Sequence, residues 1–190
     1  MKEFVQAAQE TLIALENDLR GPYTIQRNYE YAGHKYASHA IYGNNDPRKM
    51  MFIKKIQRAQ NSFEFVYMDV CRTLTEQKLT GYFDTLWQMT REVVPWDLDS
   101  HMFTMLTMLV LSDGVPDKTL LRQLKKFDCR RQCSPNETGN GWSVARLCVI
   151  DVNTGKVFCN GQGKPARDRC VSALKKRLRG EFPKNTENTP

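Results

Sequence analysis

Nowhere in its 190 residues does the chain carry the run of about 20 apolar residues that a membrane-spanning helix requires. Its opening segment, MKEFVQAAQETLIALEN, places acids where a signal peptide has an apolar core. The two absences predict a soluble, unexported, cytoplasmic protein with no membrane partner. Histidine is scarce, with His34, His39 and His101 the full complement, and no repeat of fixed period is present. Acids are scarce in one region only. Residues 117–180 hold 15 Lys and Arg against 5 Asp and Glu, a net of +10, whereas residues 1–116 net −2 and residues 181–190 net −1. A surplus gathered in one third of the chain draws anionic partners and speeds their association.

What is present suffices for a core. Apolar residues make up 41% of the chain, which excludes wholesale disorder and fits one compact domain or two small ones. Phe4, Ala7, Ala8, Leu12, Leu15 and Leu19 share one stripe at helical spacing, and RGP at 20–22 stops the pattern. The runs YTIQRNYEYAG, KYASHAIYGNNDP, KMMFIKKIQRA and SFEFVYMDVCR are short, β-favouring and separated by turn residues, so an antiparallel sheet of three or four strands follows. Next come YFDTLWQMTREVV and SHMFTMLTMLVLSDG, split by PWDLD. They predict a helical pair, since Pro95 forbids one continuous helix and Ser100 caps the second. That second segment is apolar nearly all round, which predicts burial in the core or a homo-oligomer or partner contact through Met102, Met105 and Leu109.

DGVPD, at 113–117, combines two breakers with the change in charge balance and predicts a boundary. Residues 1–114 then form one unit of helix, sheet and helical pair. Residues 115–180 form a basic unit, and residues 181–190 a disordered tail. In the basic unit, Leu120, Leu121, Leu124 and Phe127 are the buried side of a short helix. WSVARLCVIDV and KVFCNG make a hairpin around Asn153 to Gly155, and Pro165 opens a last helix. The fold class is α+β: an antiparallel sheet with helices, then a small C-terminal α-β-β-(β)-α layer whose sheet packs one face onto both of its helices.

That packing gathers Lys164, Arg167 and Arg169 at the start of the last helix, where backbone N–H groups and the helix dipole also favour an anion. The run Lys118 to Leu178, with its helix, loop, hairpin, GQGKPARDRC step and final helix, resembles the double-stranded RNA-binding domain. That family's α-β-β-β-α chain ends in a Gly-x-Gly step and a lysine-rich helix start. The resemblance implies that the last helix start grips phosphates across a major groove, while the first helix and a loop touch neighbouring minor grooves. On this resemblance Lys164 and Arg167 match the phosphate-gripping position, and Lys118 and Arg122 lie on the first helix. Lys125, Arg169 and Lys175 complete the candidate nucleic-acid-binding set. The expected function is non-catalytic binding of nucleic acid, RNA favoured and double-stranded above all, with no cofactor. The alternative is a small accessory or adaptor protein, of viral, phage or plasmid type, whose basic face docks an acidic protein.

Competing chemistry rests on fewer residues. Cys129, Cys133, Cys148 and Cys159 could give a zinc site or a disulfide, yet the paired Cys-x2-Cys knuckles of a strong zinc signal are absent, and without export reduced thiols are the default. His34, His39, His101, Asp69 and Cys71 offer the parts of a Cys/His nucleophile without a location. Glu64 and Asp69 have opposite strand parity, so they form no acid pair for a metal-dependent nuclease. Trp87, Trp96 and Trp142 are read as core or boundary aromatics.

Overall fold

The computed structural model describes residues 2–43, 61–98, 101–133 and 141–179. Among them are four helices, α1 (Lys2–Leu19), α2 (Glu76–Glu92), α3 (Lys118–Lys126) and α4 (Lys164–Leu178). The seven strands are β1 (Thr24–Tyr31), β2 (His34–Gly43), β3 (Asn61–Val70), β4 (His101–Ser112), β5 (Arg130–Gln132), β6 (Trp142–Asp151) and β7 (Val157–Cys159). They build an α+β fold around one mixed sheet. Its order is β1-β2-β3-β4-β6-β5, and β7 also pairs with β6. β1, β2 and β3 form the antiparallel meander that the sequence predicts, closed between β1 and β2 by Ala32 and Gly33, both at positive φ, as a two-residue hairpin demands. β3, β4 and β6 then run parallel, joined by crossovers through α2 and α3.

The segment expected to be a second helix is β4, at the centre of this parallel trio. Methionine and leucine favour helix intrinsically, but a run apolar on every side is also what a central parallel strand needs, because both of its faces are covered. One layer of helices sits on each face. Leu79, Leu86 and Met89 of α2 and Leu120 and Leu124 of α3 pack with Tyr67, Leu106, Met108, Leu147 and Val149. Phe4, Ala8, Leu15 and Leu19 of α1 and Ala166, Cys170 and Leu174 of α4 pack with Val66, Met68, Leu109, Leu111, Cys148 and Ile150.

Further expectations change with this layout. α3 and α4 lie on opposite faces of the sheet, so the predicted layer with both helices on one face is not formed. The turn at 113–117 connects β4 to α3, and β4 pairs with β6 over ten residues, so one sheet runs through both 1–114 and 115–180. α2 begins earlier than the apolar period suggests because Thr75 caps it, accepting from Lys78 N at 3.3 Å. The expected KMMFIKKIQRA strand, the loop at 134–140 and the tail 181–190 fall outside the described residues. No helix among the described residues is long and apolar enough to cross a membrane.

Where α2 leaves the antiparallel half of its face, aromatic rings fill in. His39, 2% exposed, stacks on Tyr29 at 4.1 Å and lies 4.5 Å from the Tyr67 ring, and neither ring nitrogen has a hydrogen-bond partner among the described residues. Burial lowers its pKa to about 4. The unfolded chain therefore binds a proton between about pH 6.5 and 4 that the folded chain refuses, so stability is full above that window and falls as pH drops through it. The loss should reach roughly 3 kcal/mol near pH 4. His39→Phe, which keeps the stacking, should lose about that much less than the wild type in urea titrations across the window. Equal losses in both proteins would contradict the assignment.

Candidate nucleic-acid interface

β4 has 12 residues and spans about 40 Å, whereas the 15 residues of α4 and 18 of α1 reach only about 22 and 27 Å. The helices therefore cannot cover a whole face. The part they leave open lies where β2 ends and β3, β4 and β6 begin. Strand register there sets Tyr42 beside Glu64, Glu64 beside Met105, and Phe103 beside Trp142. Phe103 and Trp142 stack with centroids 5.1 Å apart at 21°, and Trp142 is 43% exposed. Tyr23, delivered by the turn after α1, lies 5.5 Å from the Tyr42 ring. Pro22, Tyr23, Tyr42, Phe103, Met105 and Arg169 are among the residues lining a cavity of about 300 Å³.

The deep end of this aromatic strip is charged. Glu64 Oε2 accepts from Tyr23 Oη at 2.6 Å and lies 3.6 Å from Arg169 Nη1. Its Oε1 accepts from Thr107 Oγ1 at 3.3 Å and from Arg146 Nη1 at 3.4 Å. Arg169 also donates to Tyr23 Oη at 2.8 Å and covers that ring. Burial, reinforced by Glu64, pushes the Tyr23 phenol up to about 12, so it remains a donor at neutral pH. Two guanidinium groups thus share one carboxylate. Arg146 is largely buried, its pKa is lowered by that burial, and its Nε has no hydrogen-bond partner among the described residues. Asp18 adds a second negative charge near Arg169, and guanidinium groups beside aromatic walls suit a planar ligand that carries an anionic group.

The predicted cations are divided. Lys118, Arg122 and Lys125 are exposed on α3, while Lys164, Arg167, Arg169 and Lys175 lie on α4 across the sheet. Arg169 alone enters the cavity, and Arg167 pairs with its neighbour Asp168 at 2.8 Å. Among the described residues no carboxylate pairs with Lys118, Arg122, Lys125, Lys164 or Lys175. Of the predicted partner residues, Met105 lines the cavity, Leu109 is 4% exposed beneath α1 and α4, and Met102 sits on the opposite face. Sequence reasoning missed Tyr23, Tyr42, Glu64, Phe103 and Arg146 as a group. The parallel pairing of β3, β4 and β6 brings three of these positions, Glu64, Phe103 and Arg146, together with Trp142, and the antiparallel β2–β3 pairing adds Tyr42.

A second cavity, of about 320 Å³, opens on the α2 side at the carboxyl end of β3 and includes His34, Asp69, Cys71, Lys78 and Tyr82. Asp69 Oδ2 accepts from Tyr82 Oη at 2.6 Å and lies 3.0 Å from His34 Nε2, while the Cys71 thiol donates to Thr73 O at 3.3 Å. His34, Asp69 and Cys71 are thus neighbours, but His39 stays in its aromatic cluster and His101 bonds Thr104 at 2.8 Å. Cys129 and Cys148 belong to different cores, which splits the zinc set, and no described group of three or more His, Cys, Asp or Glu is arranged to hold a metal ion.

Glu64→Gln removes the carboxylate that pairs with Arg146 among the described residues. The expected cost is about 3 kcal/mol of unfolding free energy, most of it recovered in Glu64→Gln/Arg146→Met. Additive losses in the double variant, measured by urea titration, would show that the two side chains are not coupled.

None of the curated proteins and none of the solved structures matches the chain. The family described as Domain of unknown function (DUF8052) matches residues 7–170, a stretch that runs from within α1 to within α4 and includes Tyr23, Glu64, Phe103, Arg146 and Arg169. With so much of its length matched, the chain belongs to the DUF8052 family.

Proposed function

We propose that the protein binds nucleic acid without catalysis, and that it holds a single strand across the open end of its sheet. The observation that carries this reading is the strip of Tyr23, Tyr42, Phe103 and Trp142, ended by two arginines that share one carboxylate. Bases stack on aromatic rings regardless of sequence, and arginine supplies the phosphate contact. The cavity of about 300 Å³ suits one nucleotide unit at the deep end. A strand is favoured over a duplex because the α3 and α4 cations face opposite ways, so they form no common surface for one rigid helix. Lys164 and Lys175 of α4, which pair with no carboxylate among the described residues, then extend the basic path beyond the cavity.

Fluorescence anisotropy with labelled single-stranded RNA, single-stranded DNA, duplex RNA and heparin over a salt series tests this. Single strands should bind more tightly than the duplex. Trp142→Ala and Phe103→Ala should each weaken binding roughly tenfold with an unchanged salt slope, since one stacked base is lost. Arg169→Gln should weaken binding and lower the salt slope by about one. Tighter binding of duplex RNA, insensitive to the aromatic changes, would return the function to the α3 and α4 cations. Equal binding of all four probes would leave generic charge alone.

A further inference from the structure

The β6–β7 hairpin holds two thiols in direct opposition. Cys148 and Cys159 are register partners. On either side of them, Asn160 N donates to Leu147 O at 3.1 Å and Asp151 N donates to Lys156 O at 2.9 Å, which marks 147/160 and 151/156 as hydrogen-bonded pairs. Bonded and non-bonded pairs alternate along an antiparallel ladder, so Cys148 and Cys159 form a non-bonded pair. Such pairs hold their Cα atoms about 4.5 Å apart, with side chains turned toward each other. That spacing falls within the range of about 4.4–6.8 Å that a disulfide spans without moving the backbone.

The two sulfurs differ in environment. Cys148 is fully buried, and its thiol lies 3.8 Å from Gly163 O as well as donating to the Cys159 sulfur. Cys159 is half-buried at the sheet's edge. The hydrogen bond from Cys148, with help from the Arg167 guanidinium, lowers its pKa to about 7. Cys170 and Cys129 behave otherwise, since burial pushes each up to about 12. A Cβ at Gly163 would come within 2.8 Å of Cys159 Cβ, so the glycine of the GQG step is what allows the chain to close over this pair. An accessible thiolate beside a cation, with a second thiol in bonding position, is the arrangement that peroxide-sensing cysteines use.

We propose that Cys159 is a peroxide-reactive modification site and that Cys148 resolves it to a disulfide tying β7 to β6. The Cys159 thiolate attacks hydrogen peroxide, breaking the O–O bond to give a sulfenic acid and hydroxide. The Cys148 sulfur then attacks the sulfenic sulfur, loses its proton and expels water. Two thiols are oxidised by two electrons in total, and one peroxide is reduced to two waters.

The full-length protein is treated with stoichiometric hydrogen peroxide, alkylated, and examined by intact mass and peptide mapping. Two thiols should be lost in a 2 Da step, with one crosslink joining the peptides of Cys148 and Cys159. Cys159→Ser should abolish the step. Cys148→Ala should stop it at a sulfenic acid on Cys159 that dimedone captures, and Arg167→Gln should slow it severalfold. The wild-type map decides even where a variant folds poorly. Crosslinks between other cysteines, first modification at Cys71 or Cys133, or six intact thiols would overturn the proposal. Strand binding is not invoked, so its failure would leave this result standing.

Discussion

β4 carries apolar side chains on both faces, and burying both determines the layout of the molecule. A strand of that kind needs neighbours on each edge and helices on each side. β3 and β6 supply the edges, and the crossovers through α2 and α3 make them parallel. α2 and α3 then cover one face while α1 and α4 cover the other. A residue rises about 1.5 Å in a helix and about 3.3 Å in a strand, so helices of comparable residue count leave part of the sheet bare. The open aromatic strip is a direct result of that mismatch.

Charge at the bare end follows from what the sheet can tolerate. Arg146 projects from the middle of β6, where its neighbours along the strand are core residues, and it is held there by Glu64 from β3. Arg169 reaches the same carboxylate from α4, with Tyr23 between them. The arrangement links four parts of the chain, around Tyr23, Glu64, Arg146 and Arg169. It also holds two guanidinium groups in a low-dielectric recess, where Glu64 and Asp18 supply the opposing charge.

Local signals in the sequence were enough for α1, the meander β1–β3, α3, the β6–β7 hairpin and α4, because each is bounded by its own breakers or caps. Arg20 to Pro22, Gly33, Asp117 and Pro165 mark those limits without help from tertiary structure. β4 was illegible for a physical reason: a run apolar on all sides reads the same in a buried helix and a buried strand, and only its neighbours decide. The site inherited that ambiguity. Phe103 and Met105 could not be placed next to Trp142 and Glu64 before β4 was known to be a strand. The positive surplus of residues 117–180 was visible, but its division between two faces depends on α3 and α4 packing on opposite sides of one sheet.

Photo-crosslinking a single-stranded RNA containing 4-thiouridine, followed by peptide mapping, tests most directly whether bases lie on the bare end of the sheet. Adducts should fall on Tyr23, Tyr42, Phe103 or Trp142. Adducts confined to α3, around Lys118 to Lys125, would contradict the account.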